Sequence, residues 1–467
     1  MRSVTATLAL LAVMLVTSSG QAQQTKDLNI HADVTAQQSI RLEEFRGAEL
    51  SVRTWDKSRV EVRVTVRIEM SDSDDEKTYI KEVKLDQSQS DGQIVIRLVQ
   101  PDINNGFSFG NLFKLKFKNY IRKEIRGEVL VPKANAFSVE ANYGKLDVEG
   151  IDGPVELSCR SGQVDVRSCM NLERISNDYG TTVIGGSGGN LSLDNRSGRI
   201  DIKTFTGTLN IKAPYATINA EKVSGRADVE SQSGSVSLPT VGSDVMVNAP
   251  YSTIVVEKVE GDARITGKSG SVRVNGVRGL QVDAPYSTID ADNVKGVQGE
   301  PVIITGQSGR IALSRVSSGV DVQSPYTNID LSDIGGDVRL GTKSGTVRAS
   351  KVKGNWTSLT EYSRLTVTEL GGKKVLVENK SGGVDIELMT VPDMVEIVNS
   401  YADVRLEIPK GLDADVRLKA EYGEIESDLS VKVEKMGSGA ISLGKAGAGK
   451  GSLSIETKSG SVRVREK

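Results

Sequence analysis

"APYSTI" occupies residues 249–254 and returns unchanged at 284–289, with "APYATI" at 213–218 and "SPYTNI" at 324–329. Repeated spelling at regular spacing is the mark of repeated structure. The tyrosines of the series are Tyr143, Tyr179, Tyr215, Tyr251, Tyr286, Tyr326, Tyr362 and Tyr401, the first three steps being 36 residues and the rest 35 to 40. A second series of Ser-Gly pairs begins at Ser161, Ser197, Ser233, Ser269, Ser308, Ser344 and Ser381, most of them 18 residues after a tyrosine. The unit is therefore 18 residues long, and Tyr and Ser alternate at one position of it.

Numbered from that Tyr or Ser, each unit carries apolar residues at +3, +5, +8, +12 and +14 and often Gly at +10. The unit at Tyr215 shows Ile218, Val223, Gly225, Ala227 and Val229; the unit at Ser233 shows Val236, Leu238, Val241, Val245 and Val247. Apolar pairs two apart, broken by turn residues every eight or nine positions, are short strands, and the repeat lacks the 3.6-residue period of an amphipathic helix. An all-β parallel solenoid (a β-helix) with coils of about 18 residues follows, each coil stacked on the next at about 4.8 Å. Its thin aliphatic core suits a chain of 467 residues with 48 Gly and only 4% aromatics. A repeat array also explains how so long a chain can form one body.

The regular coils run over 138–467. Residues 23–137 do not keep the 18-residue step. "GAELSVRTWDKSRVEVRVTVRI" and "GQIVIRLVQ" alternate as antiparallel strands do, so this region is expected to be a small β-rich piece capping the first coil. "EMSDSDDEK" at 69–77 is expected to be an acidic hairpin or loop. From Tyr422 the coil is expanded by "KMGSGAISLGKAGAGKG", and the final coil ending at Lys467 is expected to lie free, where it could meet a partner end to end.

Residues 1–22 read as a secretory signal: Arg2, the apolar run "VTATLALLAVMLV", and small Gly20 and Ala22 before the cleavage point. The junction has no Cys for a lipid anchor, and no later run reaches about 18 apolar residues. The mature chain is thus expected to be exported, to the periplasm or the cell surface, without a transmembrane segment. Its formal net charge of −2 argues against nucleic acid as a partner. The two cysteines, Cys159 and Cys169, are either a disulfide or buried free thiols.

The stretches "LSVRTWDKSRVEVRV" (50–64), "GEVLVPKANAFSVEANYGKLDVEGIDGPVELSCRSGQVDV" (127–166) and "LSIETKSGSVRV" (453–464) resemble a bacterial family of exported, adhesin-like domains of unknown function. The resemblance covers nearly the whole mature chain. It implies a β-solenoid at the cell envelope and brings no catalytic motif.

The residues offer few candidates for chemistry. Strand parity sends positions +0, +2 and +4 outward when +3 and +5 point in. Tyr179, Tyr215, Tyr251, Tyr286, Tyr326 and Tyr362 would then form an exposed ladder able to stack on sugar rings or on a partner surface. Alternatively the coil bends at this corner and each ring folds over the small Ser-Gly of its neighbours. Outward Asp147, Asp165, Asp201, Asp290, Asp330 and Asp385 alternate with arginines on an open face, which suits solvated charges better than the paired carboxyls of a glycosidase. "GKAGAGKGS" from Gly444 has Gly451 where a phosphate-binding loop needs Ser or Thr. "FKLKFK" at 113–118 could bring Lys114, Lys116 and Lys118 onto an anionic surface. His31 is the only histidine, so no His-based nucleophile or metal constellation can form.

The sequence therefore predicts a non-enzymatic interaction module with no cofactor and no metal site, whose partner is a glycan or an envelope or surface protein. A structural periplasmic scaffold without a specific ligand is the alternative, and a β-helix polysaccharide-processing enzyme the weaker one.

Overall fold

The computed structural model describes residues 24–70, 73–101, 121–297 and 299–467. The leader at 1–22 and the segment carrying Lys114, Lys116 and Lys118 lie outside the described residues. The described chain is nearly all β: one continuous sheet of 41 strands and one helix.

The coil that begins at "APYSTI" explains the spelling. Ala249 is buried at a corner. Pro250 follows, and its carbonyl accepts the N–H groups of both Lys268 and Ser269 of the next coil at 2.8 Å. Proline has no N–H of its own to satisfy there. Strand Tyr251–Glu257 then turns Tyr251 and Thr253 outward while Ser252, Ile254 and Val256 go in. A second strand, Ala263–Thr266, buries Ala263 and Ile265. Both are held in parallel register by their neighbours: Ser233↔Tyr251 and Thr253↔Ser271 on the first face, Val245↔Ala263 and Ala263↔Leu280 on the second. At the apex between the faces Val223, Val241 and Val259 bridge from coil to coil.

The +8 residue is even where +3 and +5 are odd, so simple alternation would send it outside. From the coil at Tyr251 to that at Tyr362 one left-handed residue at +7 corrects this. Lys258, Asn293, Arg315, Asp333, Lys351 and Glu369 all have φ between 47° and 57°. Each costs roughly 1–2 kcal/mol in a non-glycine residue, and each is followed one or two bonds later by core burial, as at Val259, Val294, Val316 and Ile334.

The Ser-Gly coils need their glycine. Gly234, Gly270, Gly309 and Gly345 have φ from 139° to 150°, and a Cβ on any of them would lie 2.2–2.3 Å from a carbonyl oxygen of the preceding coil. The alternation of Tyr-small with Ser-Gly is thus partly a packing rule: one coil puts a small buried side chain at +1, the next has no room for any.

At the N-terminal end, β1 (Gln24–Asp33), β2 (Ser39–Glu43), β3 (Ala48–Trp55), β4 (Arg59–Met70), α1 (Ser73–Glu82), β5 (Lys84–Gln89), β6 (Gln93–Val99), β7 (Ile121–Pro132), β8 (Phe137–Glu140) and β9 (Lys145–Glu149) follow in chain order. Their spatial order differs. On one face it is β1, β4, β7, β3, β9; on the other β5, β6, β2, β8. The coil formed by β2 and β3 comes first in sequence yet lies between that of β6 and β7 and that of β8 and β9. Only β1, β4 and β5 run antiparallel, at the outside.

The acidic stretch expected to be a hairpin or loop opens α1 instead. Asp74, Asp75 and Glu76 stand in its first turn, where the helix dipole favours carboxylates, and Lys81 in its last. Buried Glu76 accepts the N–H groups of Gln24 and Met70 at 3.1 and 3.3 Å, which ties the ends of β1 and β4 to the helix.

The C-terminal end is threaded the same way, and the expectation of a free last coil is overturned. Strand Val462–Glu466 lies between Val404–Ile408 and Ile425–Ser427, and Gly451–Ser459 lies between Met394–Asn399 and Ala414–Tyr422. The Gly- and Lys-rich expansion forms the antiparallel strands Val433–Met436 and Gly439–Ala446, which cover the outer coil on one face.

Candidate functional site

The tyrosines stand outside, as strand parity requires. Tyr143, Tyr179, Tyr215, Tyr251, Tyr286, Tyr326, Tyr362, Tyr401 and Tyr422 are each 47–60% exposed. The registers Tyr179↔Ser197↔Tyr215, Ser269↔Tyr286, Ser308↔Tyr326 and Tyr326↔Ser344↔Tyr362 set them in one row with a serine between successive rings. Two coil spacings make the step between rings about 9.6 Å. Tyr422 joins the row out of chain order, opposite Ser459. The expected contact residues Tyr179, Tyr215, Tyr251, Tyr286, Tyr326 and Tyr362 therefore share one edge of the rod.

Sequence reading missed the partners of those rings. The residue just before each Ser of the Ser-Gly coils is Arg160, Arg196, Gln232, Lys268, Gln307, Lys343, Lys380 or Lys458. Arg196 lies over the ring of Tyr179 with 5.9 Å to its centroid, Lys268 over Tyr251 at 5.6 Å and Lys380 over Tyr362 at 5.4 Å. The Tyr215 hydroxyl donates to Gln232 Oε1 at 2.8 Å. Hydrogen bonds to the tyrosines, then the phenol charge, hold the ammonium groups of Lys268 and Lys380 above the usual lysine range. The signal was present: a cation or amide precedes every Ser of the series, and Pro precedes Tyr215, Tyr251, Tyr286 and Tyr326, with the same spacing.

Toward both ends of the row the buried corner behind it is polar, where the middle carries Ala213, Ala249 and Ala284. Asn195 donates to the carbonyl of Asn177 at 2.6 Å, Asn379 to that of Ser363 at 3.1 Å and Asn399 to that of Ala402 at 3.0 Å. These side chains hold the corner turns of their own coils.

Three of the six candidate aspartates are engaged elsewhere. Asp147 accepts from Arg53 at 3.0 Å and Arg167 at 2.7 Å, Asp330 accepts from Arg310 at 3.1 Å, and Lys145 approaches Asp165 at 3.6 Å. In the "GKAGAGKGS" turn the N–H groups of Gly449 and Lys450 already hold the Asp413 carboxylate, at 2.7 and 3.3 Å. That turn lies between two strands, as its spelling requires. Cys159 and Cys169 are separate buried thiols, one at the strand end before the Ser-Gly pair and one at the apex; burial pushes both thiols up. Among the described residues, no group of three His, Cys, Asp or Glu could hold a metal ion. No described helix is long and apolar enough to cross a membrane.

One concavity interrupts the smooth faces. Tyr286 and Ser308 are 22 residues apart rather than 18, and residues 295–297 and 299–301 form an overhang. Beneath it lies a cavity of about 770 Å³, lined by Lys295, Glu300, Asp321, Asp337, Arg339 and Thr357 among others. It is open, and it stands on the second face, away from the tyrosine row.

No curated protein matches the chain. Among solved structures, one from Clostridium sporogenes ATCC 15579, named for a proposed role in cell adhesion, aligns at 9% identity over 95% of this chain and 100% of its own, with a TM-score of 0.15. Another, from Parabacteroides distasonis ATCC 8503 and named for a proposed role in lipid binding, aligns at 10% identity over 75% and 97%, with a TM-score of 0.14. Scores so low inform neither fold nor function. Residues 253–465 match the family model described as Toastrack DUF4097, a domain of unknown function, which bears out the family resemblance over that stretch; of the three stretches that carried it, 453–464 lies within the match.

Proposed function

We propose that the protein is an exported, non-catalytic, adhesin-like rod that binds through the edge carrying its tyrosines. The observation that carries this reading is the row itself: nine half-exposed rings at one register position, kept in line even where the chain order breaks at Tyr422. A chain that only needed to pack could fill an exposed position with polar residues, as it does at the neighbouring outward position with Thr217, Ser235 and Thr253. Exposed aromatics in regular array are a favourable surface for stacking on a ligand.

The test is retention of beads coated with the protein on a panel of immobilised glycans and envelope extracts. Wild type should be retained by at least one surface, and the variant carrying Tyr215→Ala, Tyr251→Ala and Tyr286→Ala should lose that retention while keeping its β circular-dichroism spectrum. Equal retention of both proteins, or of neither, returns the tyrosines to packing and favours a scaffold. Protease accessibility on intact cells, with lysed cells as control, checks the location: cleavage before lysis is expected, and protection until lysis removes the adhesive role.

A further inference from the structure

We infer that the ligand of this edge is a linear acidic polysaccharide, one uronic-acid carboxylate being met at each cation of the row; the inference rests on the tyrosine edge being the contact surface. Three features of the edge combine to specify that chemistry.

The first is the step. Large and small residues alternate, so each pair of neighbouring rings bounds a notch floored by Ser and by a glycine that has no room for a side chain, as at Ser269 and Gly270. The notches recur about every 9.6 Å, a length also covered by two sugars of an extended β-linked chain. A polymer with that repeat would meet a ring and a notch again at every second sugar, and a cation before the notch serine, as at Arg196, Lys268 and Lys343, at every fourth.

The second is charge. Between Arg196 and Lys343 the three outward columns at the edge (the residue before each Tyr or Ser, the Tyr or Ser itself, and the residue two beyond) contain no carboxylate. Arg196, Arg199, Lys268, Arg310 and Lys343 all stand in those columns, and the positions before the tyrosines are Pro214, Pro250, Pro285 and Pro325. Carboxylates begin one column further out, at Asp201, Asp290 and Asp330 on one side and Glu230 and Asp283 on the other. Of the five cations, Arg310 is shared with Asp330. The whole chain is slightly acidic, with net charge −2, so the basic edge is a local feature.

The third is the mix of groups. A ring beside a cation offers a face to stack on and a counter-charge within one side chain's reach, as Lys268 and Tyr251 do. Thr217, Thr253 and Thr288 add hydroxyls on the same side for sugar hydroxyls. A protein partner would not be expected to repeat at this step, and a neutral glycan would leave the cations unanswered.

The experiment titrates the full chain with polymannuronate and with the same polymer after carboxyl reduction, which keeps the backbone and removes the charge. Wild type should bind the acidic polymer about tenfold or more tightly than the reduced one, the worth of one or two charge-assisted contacts. The variant Arg196→Gln, Lys268→Gln, Lys343→Gln should lose that preference while binding the reduced polymer as before. Equal affinity of wild type for both polymers overturns the inference. So does equal binding of polyglutamate, which would make the edge a general anion surface. If the cation variant behaves as wild type while the Tyr215→Ala, Tyr251→Ala, Tyr286→Ala variant loses both polymers, acidic recognition fails and the tyrosine edge survives. If the tyrosine variant binds both polymers unchanged, both readings fall.

Discussion

The middle of the rod and its two ends are built from the same coils by different rules. From Tyr179 to Tyr362 every coil forms its β-ladders with the coil 18 or so residues before it and the one after. At each end one coil is slipped between two others: β2 and β3 between the β6–β7 and β8–β9 coils, and 451–466 between the coils at 394–408 and 414–427. The slipped coil is also the one that carries arginines to its neighbours. Arg53 of β3 bonds Asp147 at 3.0 Å, while Arg463 and Arg465 bond Glu426 and Asp428 of the outer coil at 2.8 Å. The middle is therefore held by nearest neighbours in sequence, and the ends by contacts that close long loops. Such closure costs entropy that only several simultaneous ladders can offset.

The sharpest way to break this contrast is to delete residues 451–467. A merely terminal coil could go with little effect on its neighbours. Here two ladders on each face vanish, so amide exchange across 394–408 and 412–446 should speed up more than a hundredfold, or roughly 3 kcal/mol, while 200–340 keeps its protection. Unchanged exchange at 394–408 would mean that the last coil is not inserted. A smaller effect is expected inside the middle. Gly270→Ala sets a Cβ 2.3 Å from the Ser252 carbonyl oxygen at a φ of 150°, and should cost about 1–3 kcal/mol in denaturant unfolding, whereas outward Ser271→Ala should stay within about 0.5 kcal/mol.

The smallest effect is that of pH on the N-terminal end. Burial works to raise the Asp147 carboxyl, but its hydrogen bonds with Arg53 and Arg167 outweigh this and hold it below the ordinary aspartate range. A folded value below the unfolded one stabilises above the unfolded value, and the gain is lost as pH falls through the folded one. Acidification below the ordinary aspartate range should therefore loosen β3 and β9 by at most about 1 kcal/mol, read as faster exchange there. Asp147→Asn should remove the pH dependence; exchange that ignores both would detach the pair from stability.

The sequence made the middle legible because every residue there reports on its own position: Ile218, Val236 and Ile254 fall at +3 and all are buried. Parity placed the rings outside without any knowledge of the partner coils. The threading of the ends was not legible, since a strand such as "SGSVRV" at 459–464 is spelled like the interior coil at 269–274, and identical spelling fits several neighbours equally well. The helix was hidden for a related reason. "SDDEKTYIKE" buries only Glu76 and Tyr79, too few residues to show an apolar stripe. The cations beside the rings were visible at the same spacing as the tyrosines, but their meaning depends on which coil lies next, and that is a fact of the stack.

The threading also decides how such a molecule can change its length. Because the strand that ends the chain is slipped between two others, residues added after Lys467 would meet an interior coil and could not prolong the rod. A duplicated pair of coils, residues 233–268 copied in tandem, would by contrast slide into the ladder with its proline, its tyrosine and its glycine already in phase. It would move the two capped ends apart by about 9.6 Å and leave both untouched. Rods of this design are free to lengthen by genetic copying in the middle, one ring and one cation at a time, so the reach of the rod and the number of its contacts grow together.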